Sequence, residues 1–265
     1  MNRRFLSVAL LPLWILLLGQ DTAKNREHAT QWAERHANYL SDPIIDLKES
    51  ALEITDNSPR PLDSIVAALA KRNGWHINYE DPAYGYEDIV DDTAPSWLEE
   101  HPYGPRAYAV GGGAFHTKIQ ILGQLHDQSV QVLSTLIDDY NKSNNPGRFE
   151  LHNAGEQLDV VPSGTASSRQ VPLLDTEMSF EEPGAATADV SLVKFCDELS
   201  RQSNHKVIFL APPSANVLHQ THIEQHSQKQ PAREILRHLY EQIGSRFSWR
   251  LLYDSGTREF FLTIE

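Results

Sequence analysis

A single cysteine, Cys196, stands in 265 residues, so no internal disulfide can staple this chain and packing alone must hold it. Cations are scarce as well: 23 Lys and Arg face 36 Asp and Glu, a net charge of −13. That balance opposes attraction to phosphate backbones and anionic lipid, and it excludes nucleic acid as the expected partner. Nucleophile elbows, zinc-protease helices and phosphate loops are missing; Gly111 to Gly113 lacks the Lys and the Ser or Thr that follow in a phosphate loop. Acid pairs such as Asp138 with Asp139, or Glu181 with Glu182, are sequence neighbours that do not converge on one reacting atom. No catalytic residue is assigned, no cofactor is expected, and the expectation is a protein that is not an enzyme.

Long apolar runs are absent apart from Leu6 to Leu18, which follows Arg3 and Arg4 and is broken only by Ser7 and Pro12. It falls short of the roughly 20 residues a spanning helix needs and has the layout of a secretory signal. Residues 1–23 are therefore expected to direct export, leaving no stable membrane span once removed; retention as an uncleaved anchor is the alternative. No Cys follows the run, so a lipid-modified start is not expected.

What is present is a repeat. The stretch from Pro61, PLDSIVAALAKRNGWHINYEDP, aligns without a gap on the stretch from Ser191, SLVKFCDELSRQSNHKVIFLAP, at an offset of 130. Leu62 falls on Leu192, Ile65 on Phe195, Val66 on Cys196, Leu69 on Leu199, Ile77 on Val207 and Tyr79 on Phe209. The spacing predicts a helix with one apolar stripe, then a strand alternating between a buried and a wet face. Further on, an offset of 103 puts Leu133 on Leu236, Leu136 on Leu239 and Tyr140 on Ile243. Two short apolar runs around a turn follow each of these helices, and one more strand is expected before each helix.

The unit is strand, helix, strand, strand, helix, strand, strand, which makes the fold class α+β: two tandem βαββαββ modules, each with two helices packed on small β-sheets. The expected divisions are a helical segment over 24–50, a first module over 51–162, a linker over 163–172, whose composition is rich in small polar residues, and a second module over 173–265. His28, Trp32 and His36 share one stripe of the helix expected around Trp32 to Leu40.

The residues from Pro61, with their echoes from Ser191 and from QPAREILRHLYEQIGSRFSWRLLYD at Gln230, resemble the short amino-terminal domain shared by secretins and TonB-dependent receptors. The resemblance implies a periplasmic docking domain with no catalytic residues of its own. In that family the domain precedes an outer-membrane barrel, whereas this chain ends after the second copy, so transport is not expected. The expected partner is another envelope protein, engaged through a sheet edge and an inserted segment.

That segment, 83–115, separates the copies most: the second copy has only Pro213 to Gln220 in its place. From Glu80 to Glu100 the chain holds eight acids and no Lys or Arg. Aromatics give contact area at low entropic cost and acids steer basic partners. Tyr84, Tyr86, Asp88, Asp91, Trp97, Tyr103 and Tyr108 are accordingly the candidate partner-binding residues; a loop covering its own domain and a cation site on Asp88, Asp91 and Asp92 are the alternatives. A second function class is a metal-dependent periplasmic enzyme or metal-binding protein using His222, Glu224 and His226, which alternate toward one face of a predicted strand. A solvated strand face gives the same pattern.

Overall fold

A computed structural model describes residues 24, 26–36, 42–154, 157–165, 168–211, 216–244 and 247–264. The expected signal segment lies outside the described residues. Helix α1 (26–36) comes first. A hairpin of β1 (Ile44–Lys48) and β2 (Ala51–Asp56) leads into α2 (Pro61–Asn73) and β3 (His76–Glu80). The insertion contributes β4 (Ile89–Asp91), α3 (Pro95–Glu100) and β5 (Tyr108–Val110), and β6 (Phe115–Gln120), α4 (Ser129–Lys142), β7 (Arg148–Ala154) and β8 (Gln157–Gly164) complete the first module. The second runs β9 (Glu177–Thr187), α5 (Ala188–Ser203), β10 (Val207–Leu210), α6 (Asn216–Gln220), β11 (His222–Pro231), α7 (Ala232–Ile243), β12 (Trp249–Asp254) and β13 (Glu259–Ile264). The protein is α+β, and the expected order of strands and helices recurs in both modules.

Helix boundaries follow local chemistry. Pro61 opens α2 at a position where a missing N–H costs nothing, and Gly74 closes it in the left-handed region (φ 65°), its N–H returning to the Ala70 carbonyl. The stripes land where the spacing put them: Leu62, Ile65, Val66 and Leu69 are buried, as are Leu192, Phe195, Cys196 and Leu199. The second helices match at the same offset of 103, with Val132, Leu133, Leu136, Ile137 and Tyr140 buried in α4 and Ile235, Leu236, Leu239, Tyr240 and Ile243 in α7.

Each module divides its strands between two sheets. In the first, β2 pairs antiparallel with β6, while β3 runs parallel to β8, which pairs with β7; in the second, β9 pairs with β11 and β10 runs parallel to β13, which pairs with β12. The two three-stranded sheets then fuse. β12 of the second module pairs parallel with β3 of the first, giving one six-stranded sheet ordered β10-β13-β12-β3-β8-β7. The sequence did not announce this, because a β-edge carries no periodic signal for which other edge it meets.

Three features go beyond the expected pattern. Strand β1 adds an outer strand to β2, turning at Glu49 with φ 51°. Strand β9 starts after a 3-10 turn at Leu173–Asp175 and runs through Pro183 and Gly184, residues that read as a break. It belongs to a two-stranded ribbon, where a strand with one open edge tolerates a missing N–H. Among the described residues of the expected linker, Ser163 and Gly164 continue β8, Gly164 bridges Arg169, and the Gln170 side chain accepts from the Ala83 N–H at 3.1 Å and donates to its carbonyl at 2.9 Å.

The contacts divide the chain into two compact units, one holding α1 and residues 91–108, the other holding both modules in residues 40–90 and 109–265. Inside the larger unit are two apolar cores, one per module. Cys196 lies in the second, where burial pushes its thiol pKa up. A thiol kept protonated and covered is inert. In native protein at pH 8 Cys196 should therefore not react with Ellman's reagent, and it should react stoichiometrically in urea; fast labelling without denaturant would contradict this burial.

Candidate interaction surfaces

The seam between the modules is ionic. From the first module come Asp63, Glu80, Asp81 and Asp159, none more than 6% exposed. Arg233, Arg237 and Arg250 of the second module meet them. Arg233 Nη2 bonds Glu80 Oε2 at 2.5 Å and its Nε bonds Asp175 Oδ1 at 3.2 Å, with the guanidinium 5.7 Å from the Trp249 ring centre. Arg237 reaches Asp159 at 3.2 Å, and Arg250 forms a two-pronged contact with Asp63. Backbone bonds run through the same seam: the Asp81 N–H donates to the Leu251 carbonyl at 2.8 Å, the Trp249 N–H to Asn78 Oδ1 at 3.0 Å and the Tyr253 N–H to Asp81 Oδ2 at 3.0 Å.

Burial is the main influence on two of these carboxylates. It raises the pKa of Glu80, opposed by the Arg233 charge and the Leu174 N–H, and that of Asp63, opposed by the bonds from Arg250. Burial and the neighbouring Asp81 carboxylate raise the Tyr79 and Tyr84 phenols far above their usual value, so both remain donors to Asp81 Oδ1, at 2.9 and 3.0 Å. Such an arrangement fixes orientation: each carboxylate is satisfied in one docking geometry and left as a buried charge in others.

These seam residues carried a sequence signal that went unread. At the repeat offsets, Asp63 aligns with Val193, Glu80 with Leu210 and Arg233 with Val130. Charge in one copy against an aliphatic residue in the other marks positions where the copies face different neighbours.

The insertion both covers the protein and displays aromatics. Tyr84 and Val110 belong to the second module's core, with Ala83 and Ile89 packed beside them. Asp88 is buried and accepts the Gly85 N–H at 3.1 Å; the Gly111 N–H returns to the Asp88 carbonyl at 2.7 Å. Gly112 passes so close to the Pro59 carbonyl that a Cβ would sit 2.1 Å from its oxygen, which is why a glycine stands there. Tyr84 and Asp88 are thus interior groups that no partner can reach without unfolding the segment. Tyr86 is exposed under the Arg258 guanidinium, 4.0 Å from the ring centre.

In the smaller unit, Asp91 and Asp92 face α1. Trp32 Nε1 donates to the Asp92 carbonyl at 3.1 Å and Arg35 Nη2 to the Asp91 carbonyl at 2.8 Å, while Arg35 and His36 lie 3.6 and 3.5 Å from the Asp92 carboxylate. His28 is 3.7 Å from Asp91, and Arg106 is 3.4 Å from it. Neighbouring hydrogen bonds from Thr93, against a burial that acts the other way, hold the Asp91 carboxyl below its usual pKa. The segment 24–50 therefore supplies a helix that packs against two insertion acids and pairs Arg35 with Asp92. Trp97, Tyr103 and Tyr108 remain exposed, Tyr103 completely and Trp97 stacked on His101 with ring centres 3.9 Å apart.

His222, Glu224 and His226 all lie on the exposed side of β11, opposite buried Ile223 and Gln225. Among the described residues no group of three or more His, Cys, Asp or Glu side chains is disposed to hold a metal ion, and no helix among them is long and apolar enough to cross a membrane. A groove of about 1250 Å³ runs along α2 past Trp75, His76 and Arg250. Its guanidinium groups are engaged, Arg250 with Asp63 and Arg72 with the Ile45 carbonyl. No family model, curated protein or solved structure matches the chain.

Proposed function

We propose that this protein is an exported, non-enzymatic adaptor of the bacterial cell envelope, whose two modules resemble secretin and TonB-receptor docking domains and which binds another envelope protein. The observation that carries this reading is the division of labour within 83–115. Tyr84, Asp88 and Val110 are consumed by the fold, whereas Tyr86, Trp97, Tyr103 and Tyr108 are displayed although burial was available to their neighbours. Exposed aromatics beside acids favour a partner surface carrying apolar pockets and cations. Recognition residues on loops held by a rigid scaffold are the common arrangement for binding proteins.

The Asp92 N–H meets the Ala107 carbonyl at 2.9 Å, so the chain ends flanking 93–106 are close enough to be joined by a short turn. Replacing 93–106 with Asn-Gly should leave the main melting transition within about 1 kcal/mol, as expected for surface changes, and should abolish capture of the envelope partner. Removing all of 83–113 should instead collapse the fold, because it takes Tyr84 and Val110 out of a core. Unchanged capture after the 93–106 replacement would contradict the proposal.

A further inference from the structure

A strand at the rim of a sheet exposes N–H and C=O groups that pair with an extended chain unless something blocks them. Apart from the β4–β5 ribbon, the sheets have such rims on β1, β6, β7, β9, β10 and β11, and all but one are blocked from within. On β1 the Arg72 guanidinium bonds the outward Ile45 carbonyl at 2.5 Å. On β9 Lys194 Nζ bonds the Glu181 carbonyl at 2.6 Å, and Pro183 has no N–H to offer. On β11 the Glu224 N–H donates to Gln242 Oε1 at 3.0 Å. Ser200 takes both backbone groups of Val207 on β10, and Asn141 takes both groups of Phe149 on β7.

Strand β6 is the exception. The Ile121 N–H donates to the Ser50 carbonyl at 2.7 Å, a register that turns the backbone groups of Phe115, Thr117 and Ile119 toward β2 and those of His116, Lys118 and Gln120 away from it. No donor or acceptor among the described residues meets the outward N–H and C=O groups of those three. The repeat shows what differs. Aligned on the buried residues of the two strands, Thr117 corresponds to Gln225 and His116 to Glu224, while Asp139 stands at the offset of 103 from Gln242. Gln242 donates to the Gln225 side chain at 3.3 Å and accepts the Glu224 N–H. Asp139 accepts from Thr117 Oγ1 at 2.6 Å and leaves the His116 N–H open.

We propose that β6 receives an extended segment of a partner protein as a further strand, with an acid of that segment opposite Lys118. The side chains choose the occupant. His116, Lys118 and Gln120 are exposed on the outer face of the sheet, and no acid stands among them on β6. Lys118 shares its carboxylate partner, Glu53, with Lys48. A strand laid beside β6 therefore gains from carboxylates on that face, because opposite charges on facing strands attract. Its alternate residues turn to the inner face, beside Phe115, Thr117 and Ile119, where apolar side chains belong.

A second copy of this chain fits less well. Pairing the whole β6 rim with its own symmetry mate sets Lys118 opposite Lys118, and like charges directly opposed destabilise a strand pair. The net charge of −13 slows the approach of an acidic chain, but it is screened beyond about 8 Å at physiological salt, so the residues in contact decide. The rim uses none of 93–106, so this site and the recognition surface proposed above fail separately.

A fluorescein-labelled peptide alternating valine and glutamate tests this by anisotropy, with a peptide alternating valine and lysine as control, and hydrogen exchange of the complex locates the site. The glutamate peptide should bind with a Kd below about 100 μM, about tenfold or more tighter than the lysine peptide, and should slow exchange of the His116, Lys118 and Gln120 amides. Lys118→Glu should weaken binding about tenfold. Asp139→Gln, which gives β6 the block that β11 has, should abolish protection of the His116 amide, and neither variant should change the melting midpoint. Methylating the peptide nitrogens that face β6 should abolish binding with the protein untouched. No binding up to about 1 mM, equal binding of the lysine peptide, or protection elsewhere in the chain overturns the proposal. So does self-association that protects the same three amides without peptide.

Discussion

Arg233→Met should cost about 3–5 kcal/mol of folding stability, the range for removing one partner of a buried ion pair. The side chain that remains, Glu80, is fully buried and keeps, among the described residues, only the Leu174 N–H, at 3.1 Å, as a donor. Its pKa is already raised in the intact seam, with burial outweighing Arg233, and without that guanidinium it must rise further. The sign of the pH dependence follows. A native state that holds the Glu80 proton more tightly than the unfolded chain loses stability as pH rises from the ordinary carboxylate range through the folded value. The deficit of Arg233→Met should therefore shrink on acidification from pH 7 toward pH 5. Glu80→Gln combined with Arg233→Met should recover much of the loss even at pH 7, because a neutral amide replaces the stranded charge. Urea titrations of the wild type, Arg233→Met, Glu80→Gln and the double variant at both pH values would show it; equal losses at the two pH values, with no recovery in the double variant, would mean that the carboxylate is solvated.

The second large effect lies in the cores. Leu69→Ala and Leu199→Ala, at positions 0% exposed in both modules, should each cost about 2–5 kcal/mol through lost burial and the cavity left behind. Asp at either position should leave no soluble folded protein, since an unpaired charge is added to the same loss. The two modules share one sheet, so each Ala variant should lower the stability of the whole larger unit. A variant that melts one module while the other keeps its wild-type transition would show that the seam does not couple them.

How far the residues themselves disclosed this architecture depends on the kind of signal. The helical stripes from Leu62 to Leu69 and from Leu192 to Leu199 were legible because burial on one helix face imposes a period that survives in a single sequence. The paired halves were legible because both copies kept those stripes in register. The seam was not read, although Asp63 against Val193 and Glu80 against Leu210 stood in plain alignment; a charge at the edge of a stripe looks like ordinary surface until its partner, Arg250 or Arg233, is brought to it by strands distant in sequence. The insertion was read as one recognition element because its acids and aromatics are contiguous. The fold sorts them by a property that composition does not carry, sending Tyr84 inward to Asp81 and leaving Tyr103 outside. The run of β9 through Pro183 was not legible, since the tolerance of proline depends on whether the neighbouring edge is open, and that is a tertiary fact.

A paired seam also accounts for why the two modules share one sheet rather than lying as beads on a string. Parallel pairing between β3 and β12 is short, two residue pairs in register, and would be weak alone. The buried ion pairs set its orientation and the Asp81 carboxylate ties both sides, taking hydrogen bonds from Tyr79 and Tyr84 on one side and the Tyr253 N–H on the other.

Native-state hydrogen exchange at the seam amides tests this coupling most directly. The N–H groups of Asp81, Trp249 and Tyr253 should exchange only through the global opening that also releases the central amides of α4 and α7, with the same free energy and the same urea dependence. Fast exchange of those three amides, while the centres of both modules stay protected, would contradict the account.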